Sequence, residues 1–184
     1  MDRKNTTAGF TLIELLLTLA ISGLLLVSVL ALPAYWVKQN RFMHYTHQFW
    51  EALEFARSHA MVSGSTTTIC SSEDGMRCAG AAYEKGWLVF MERPDSVNGI
   101  LDHDERLLMV QQSDARDIAI RSQTFSQFIT YNRFGKANYN GRFMLCSGSP
   151  TQAISELIIS QSGRVRLMQY PNDEQLSDVR NCSP

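Results

Sequence analysis

An apolar run opens at Phe10 and continues to about Trp36, and one ionised side chain, Glu14, stands inside it. From Phe10 to Ala34 the residues are apolar on every helical face, and such a run exceeds the roughly 20 residues that span a bilayer. A chain that begins this way must fold as a helix that hides all of its faces in lipid or in protein. A carboxylate at that depth is costly, so it carries a designated partner and a function. The residues before the run, Met1 to Gly9, are polar and include Arg3 and Lys4, the positive flank that keeps an N-terminus in the cytoplasm. A secretory signal peptide has a shorter apolar core with a small-residue cleavage site behind it. Here the small residue, Gly9, comes first, so cleavage after it removes only the basic leader. The mature chain then starts at Phe10, with Glu14 near its end.

Gly9-Phe10-Thr11-Leu12-Ile13-Glu14-Leu15 resembles the prepilin motif of type IV pilins and type II secretion pseudopilins. The resemblance implies cleavage after Gly9 and N-methylation of Phe10 by a prepilin peptidase, followed by assembly into a helical fibre with other pilin subunits. It also implies a partner for Glu14, the Phe10 amine of a neighbouring subunit. A lone buried carboxylate is unfavourable, whereas one paired with an ammonium is tolerated and depends strongly on geometry. Glu14 is therefore expected to set subunit register. The competing reading is an ordinary signal anchor with a stray acid.

The organisation expected of the 184 residues is a leader at 1–9, a transmembrane and fibre-core half-helix at 10–36, and a head at 37–184 that includes an amphipathic half-helix. The head is of single-domain size. Before assembly it would sit in the periplasm on a single inner-membrane pass, and afterwards on the pilus at the cell surface. Four cysteines, Cys70, Cys78, Cys146 and Cys182, then lie in an oxidising compartment where disulfides persist. Three connectivities are open, and the favoured one joins Cys70 to Cys78 across a short loop and Cys146 to Cys182, tying the tail to the sheet. No CxxC pair is present, and His44, His47, His59 and His103 do not cluster with the cysteines, so zinc is not expected.

Beyond Trp36 the pattern narrows to one stripe: Phe42, Tyr45, Phe49, Leu53, Ala56 and Ala60 recur at spacings of three and four. One helix from Phe10 to about Ser63, kinked at Pro33, would be roughly 80 Å long. The remainder reads as strands near Thr66 to Cys70, Trp87 to Glu92, Leu107 to Gln112, Ile118 to Ser122, Phe128 to Phe134, Arg142 to Cys146, Glu156 to Ser160 and Val165 to Gln169. Asn98-Gly99 and Asn140-Gly141 are turn signals. The fold class expected is α+β and pilin-like, a long N-terminal α-helix packed on an antiparallel β-sheet head.

Within the head, Gly86-Trp87-Leu88-Val89-Phe90, then Asn98-Gly99, Asp102, Glu105 and Leu107-Leu108, and later Ser162-Gly163-Arg164-Val165-Arg166, resemble the FimT/GspH group of minor pilins and pseudopilins. FimT-type members are associated with DNA uptake in natural transformation; GspH-type members sit near the tip of the type II secretion pseudopilus. DNA-binding FimT proteins are similar in a Gly-Arg-x-Arg motif, which implies phosphate contact by Arg164 and Arg166. If Ser162-Gly163 makes a hairpin turn, strand alternation puts both arginines on one face and Val165 with Leu167 on the other.

Charge distribution supports this site. From Arg121 to Arg166 six basic residues (Arg121, Arg133, Lys136, Arg142, Arg164, Arg166) face one acid, Glu156, a net of +5. From Glu92 to Ile120 seven acids face three arginines, a net of −4. Sequence-independent, salt-sensitive DNA binding through Arg164 and Arg166, helped by Lys136, Arg133 and Arg142, follows from such a basic stretch. Phe134, Tyr139 and Phe143 interleave with these cations and could stack bases, but Phe134 and Phe143 are expected in the core, and Asn138 to Asn140 at an exposed tip. Asp173, Glu174 and Asp178 in the tail count against phosphate binding. Asp102, His103, Asp104 and Glu105 read as a solvated turn, since they lack the spacing of a calcium loop. No phosphate loop or nucleophile elbow is present, so neither catalysis nor a cofactor is expected. The reading reached is a minor type IV pilin that binds DNA for uptake, with a structural pseudopilin at a secretion tip as the alternative.

Overall fold

The computed structural model describes residues 10–31, 33–80, 83–96, 99–113, 117–147 and 153–170. They fall into two compact units, Met1–Arg41 and Phe42–Pro184. In the first, helix α1 (Leu12–Ala31) opens on Thr11, whose carbonyl accepts the N–H groups of Glu14 at 3.1 Å and Leu15 at 3.2 Å. Glu14 lies in the first helical turn, where the helix dipole favours a negative charge. Every side chain from Phe10 to Val27 is exposed. Among the described residues no helix is long and apolar enough to cross a membrane. Side chains of α1 are described only as far as Val27, short of the roughly 20 residues a span requires.

Helix α2 (Pro33–Ser63) begins with the proline expected to kink a continuous helix. Residue 32, between the two helices, lies outside the described residues.

In the second unit, α2 from Phe42 onward turns Phe42, Tyr45, Phe49, Ala52, Leu53, Ala56 and Ala60 inward, all buried. This is the stripe read from the sequence, with Ala52 added. Among the described residues eight strands follow, one for each expected: β1 (Thr67–Ser71), β2 (Gly86–Met91), β3 (Arg106–Gln112), β4 (Ile118–Arg121), β5 (Phe128–Tyr131), β6 (Gly141–Ser147), β7 (Ala153–Ile159) and β8 (Val165–Tyr170). They form two antiparallel sheets, ordered β3-β2-β1-β5 and β4-β6-β7-β8. The helix and both sheets share a core centred on Phe49, whose ring meets Trp87 at 5.0 Å, Phe143 at 4.9 Å and Tyr83 at 5.5 Å. The fold is α+β, an N-terminal helix on antiparallel sheets, as expected.

Two local readings need correction. Asn140-Gly141 is no hairpin turn: Gly141 is the first residue of β6, which pairs with β4 and β7 while β5 belongs to the other sheet. The turn after β5 comes earlier, at Asn132–Gly135, where Gly135 N–H donates to Asn132 O at 2.8 Å. The acidic segment is also not wholly a solvated turn. Glu105 is buried and accepts the backbone N–H groups of Arg93 and Asp102, both at 3.1 Å, so it pins the loop between β2 and β3. Glu92 is buried too, bonded by Thr68 Oγ1 at 2.7 Å and Gly99 N at 2.8 Å.

Cys70 and Cys78 are disulfide-bonded with Cα atoms 5.5 Å apart, closing the loop after β1. Inside it Asp74 accepts the N–H groups of Met76 and Arg77, and these bonds lower its pKa to about 2. Cys146 on β6 is disulfide-bonded as well; its expected partner, Cys182, lies outside the described residues, as do Gly9 and Asn98.

Candidate nucleic-acid interface

The second sheet has one apolar and one polar face, fixed by alternation along its strands. Ile120, Phe143, Leu145, Leu157, Ile159 and Val165 point into the core. The opposite set carries Arg121, Arg142, Met144, Glu156, Ile158 and Arg166. Register puts Arg142, Ile158 and Arg166 in one cross-strand row, with the Arg142 and Arg166 backbones about 10 Å apart. Arg164 and Arg166 are exposed and Val165 between them is buried, so the two guanidinium groups share the outer side.

The turn that launches Arg164 has a near-copy beside it. In Ser160-Gln161-Ser162-Gly163-Arg164, Gly163 N–H donates to Ser160 O at 2.8 Å and Ser160 N–H to Arg164 O at 3.1 Å. In Asn132-Arg133-Phe134-Gly135-Lys136, Gly135 N–H donates to Asn132 O at 2.8 Å and Asn132 N–H to Lys136 O at 3.0 Å. Both glycines have positive φ, 80° at Gly163 and 70° at Gly135, the left-handed residue that closes a three-residue hairpin loop. Each is followed by a cation.

The two turns touch. A Cβ on Gly163 would lie 1.8 Å from the Gly135 carbonyl oxygen, so only glycine permits the approach. Arg57 of α2 holds both, donating from Nε to Gly135 O at 3.2 Å and from Nη2 to Ser162 O at 3.5 Å. Glu54, one helical turn earlier, accepts the Val165 N–H at 3.4 Å and lies 3.8 Å from Arg57. Beneath them burial raises the Tyr131 phenol far above its ordinary pKa, with Glu54 adding to the shift and Arg57 opposing it.

The expected DNA-binding residues therefore separate into two kinds. Arg133, Lys136, Arg164 and Arg166 are all exposed, belong to the joined turns and the start of β8, and enter no ion pair among the described residues. Arg142 is paired with Glu156 at 3.1 Å, and Arg121 with Glu84 at 2.7 Å. Glu156, the sole acid of the basic stretch, is thus spent on Arg142. From the turn at Ser160 and Gln161 a groove of about 820 Å³ runs past Asn140, Arg142, Ser122 and Thr124.

Phe134 overturns one expectation. It stands 65% exposed at the turn tip instead of in the core, with the Arg133 guanidinium 4.9 Å from its ring centre. The reason is the turn itself: Asn132 Oδ1 accepts the N–H groups of both Phe134 and Lys136, and that tight loop faces outward. Phe143 is buried as expected, and Tyr139 is 62% exposed. The role of Arg57 was not read from sequence. The repeated pattern of a polar residue three places before a Gly-cation pair marks the two like turns, but nothing in it points to Arg57, which lies 78 and 105 residues from its acceptors. Among the described residues no three His, Cys, Asp or Glu side chains converge on a metal position.

The sequence matches the family described as type II transport protein GspH over residues 46–163 and the prokaryotic N-terminal methylation motif over residues 4–30. The chain belongs to the GspH family, and with its methylation motif it is a type IV minor pilin or pseudopilin. It resembles the crystal structure of the Pseudomonas aeruginosa type IV minor pilin FimU, with a TM-score of 0.57 and 18% identity over 72% of this chain and 92% of that one. The minor pseudopilin EpsH from the type 2 secretion system of Vibrio cholerae aligns with a TM-score of 0.44 and 11% identity, over 69% of this chain and 95% of that one. No curated protein matches the sequence at a significant level. Membership implies processing at the methylation motif, membrane anchorage before assembly, and association with other pilin subunits; pilins and pseudopilins are structural protein families.

If Arg57 holds the two turns together, Arg57→Ala should lower unfolding stability by about 1–2 kcal/mol, for the loss of one part-buried and one exposed hydrogen bond from a charged donor. Chemical denaturation checks this; an unchanged midpoint would contradict the clamp.

Proposed function

We propose that this chain is a minor type IV pilin that binds extracellular DNA without sequence preference and assists its uptake in natural transformation. The observation that carries the reading is the joined pair of turns: four exposed cations, Arg133, Lys136, Arg164 and Arg166, without ion-pair partners among the described residues. Cations left unpaired on one edge are available to phosphates, and many weak contacts along a polymer add up when several subunits or residues act together. Arg142, already engaged by Glu156, plays the lesser part.

A second reading follows from the family itself: a structural pseudopilin at the tip of a type II secretion pseudopilus, whose arginines meet an acidic neighbouring subunit. The two readings differ in what the cations touch. For the full chain in non-ionic detergent, gel retardation of unrelated DNA sequences should be strong at low salt. Its dependence of log K on log salt should have a slope of about −3 to −4 for four phosphate contacts. Arg164→Gln/Arg166→Gln should bring the slope to about −2 and abolish most of the retardation. Retardation untouched by the double substitution would remove this site, and none at low salt would favour the secretion reading.

In the same proposal Phe10 to Trp36 anchors the chain in the inner membrane, with the head in the periplasm, until Glu14 pairs with the methylated Phe10 amine of a neighbour in the fibre. Exposure of every described side chain from Phe10 to Val27 supports it, because such an apolar helix needs surroundings to cover it. Glu14→Leu should leave the chain in the membrane fraction yet exclude it from sheared fibres. Normal incorporation of that variant would sink the pairing.

A further inference from the structure

We infer that the site takes unpaired bases, so that its preferred ligand is single-stranded DNA or the single-stranded end of a duplex, with Phe134 as the stacking platform. The inference rests on the proposed DNA reading and narrows its substrate. Phosphates alone would be served by the cations, and nothing in backbone tracking calls for an exposed ring. Phe134 is 65% exposed on a tight turn, held there by the bond from its own N–H to Asn132 Oδ1 at 2.9 Å. It sits between Arg133 and Gly135-Lys136 in sequence, and the Gly135 carbonyl is packed against Gly163 beside Arg164.

The ring is also prepared for a partner. The Arg133 guanidinium lies over it at 4.9 Å, a cation–π contact that limits the ring's motion and adds positive charge beside it. A base laid on Phe134 places its own 5′ or 3′ phosphate within reach of the neighbouring cations, because backbone phosphates lie within one nucleotide of the base they flank. In a continuous duplex every base face is already covered by its neighbours. An unpaired base can offer either face to the ring, whereas a blunt duplex offers only the outer face of each terminal pair, which pairing holds at the helix end. Stacking of this kind tolerates any base, which agrees with binding that ignores sequence.

The test compares three ligands of equal length on the full chain in non-ionic detergent: a single-stranded oligonucleotide, a blunt duplex, and a duplex with a single-stranded overhang. Fluorescence anisotropy should give tighter binding of the single strand than of the blunt duplex by about fivefold or more, as one stacked base provides. An overhang that recovers the gain identifies duplex ends as a source of the unpaired base; one that does not confines the preference to continuous single strands. Phe134→Ala should remove the preference and leave blunt-duplex affinity within about twofold, while Phe134→Trp keeps it. Equal affinities for all ligands, unaffected by Phe134→Ala, would overturn the stacking inference and leave the DNA reading intact if Arg164→Gln/Arg166→Gln still abolishes binding. Failure of the unaltered chain to bind any of the three would overturn both.

Discussion

The head's basic edge depends on one close approach, the backbone of Gly163 against the carbonyl of Gly135. Two hairpin loops from different sheets can meet at that distance only because Gly163 presents no Cβ to the Gly135 carbonyl, and both loops need a left-handed residue at the same point. Glycine answers both demands at once. Because each glycine is followed by a cation, the contact that joins the sheets also gathers Lys136 and Arg164. Arg57 completes the junction from α2, its guanidinium divided between a carbonyl of each loop.

Charge follows from the same packing. Like charges brought together repel, and a fold tolerates them where solvent and counter-ions screen them. At this edge the acids that could neutralise them are engaged elsewhere: Glu156 with Arg142, Glu84 with Arg121, Glu54 with Arg57 and the Val165 N–H. Two acids of the negative segment, Glu92 and Glu105, are buried as anchors for backbone N–H groups and add little to the surface. Among the described residues the opposition of +5 and −4 segments in the sequence thus becomes, in space, four cations without ion-pair partners on one edge.

Much of this was legible beforehand where a periodic pattern carried it. The stripe from Phe42 to Ala60 is the buried face of α2, and all eight strands form near their expected positions because alternating β-branched and aromatic residues have few other ways to be buried. The exposed arginines at 164 and 166 followed from the same alternation. What the sequence hid was pairing at long range. Asn140-Gly141 has the composition of a turn yet starts a strand, since its sheet partners were fixed by β4 and β7 and not by the preceding strand. Phe134 looked like core because hydrophobic residues usually are; a tight turn two residues after Asn132 kept it outside. The Arg57 clamp spans 78 residues to Gly135 and 105 to Ser162, separations at which local pattern carries no signal.

The central claim of the proposed function is geometric: the cations would act together on DNA because the turns are joined. Gly163→Ala changes no charge, yet its Cβ would sit 1.8 Å from the Gly135 oxygen at a φ of 80°, so the turns must part. The most direct measurement is the DNA affinity of the folded Gly163→Ala chain at low salt. Separation of the turns should weaken binding roughly tenfold, about 1.4 kcal/mol, with the charge unchanged. Unaltered affinity in a folded variant would show that loose cations suffice and would contradict the role assigned to the junction.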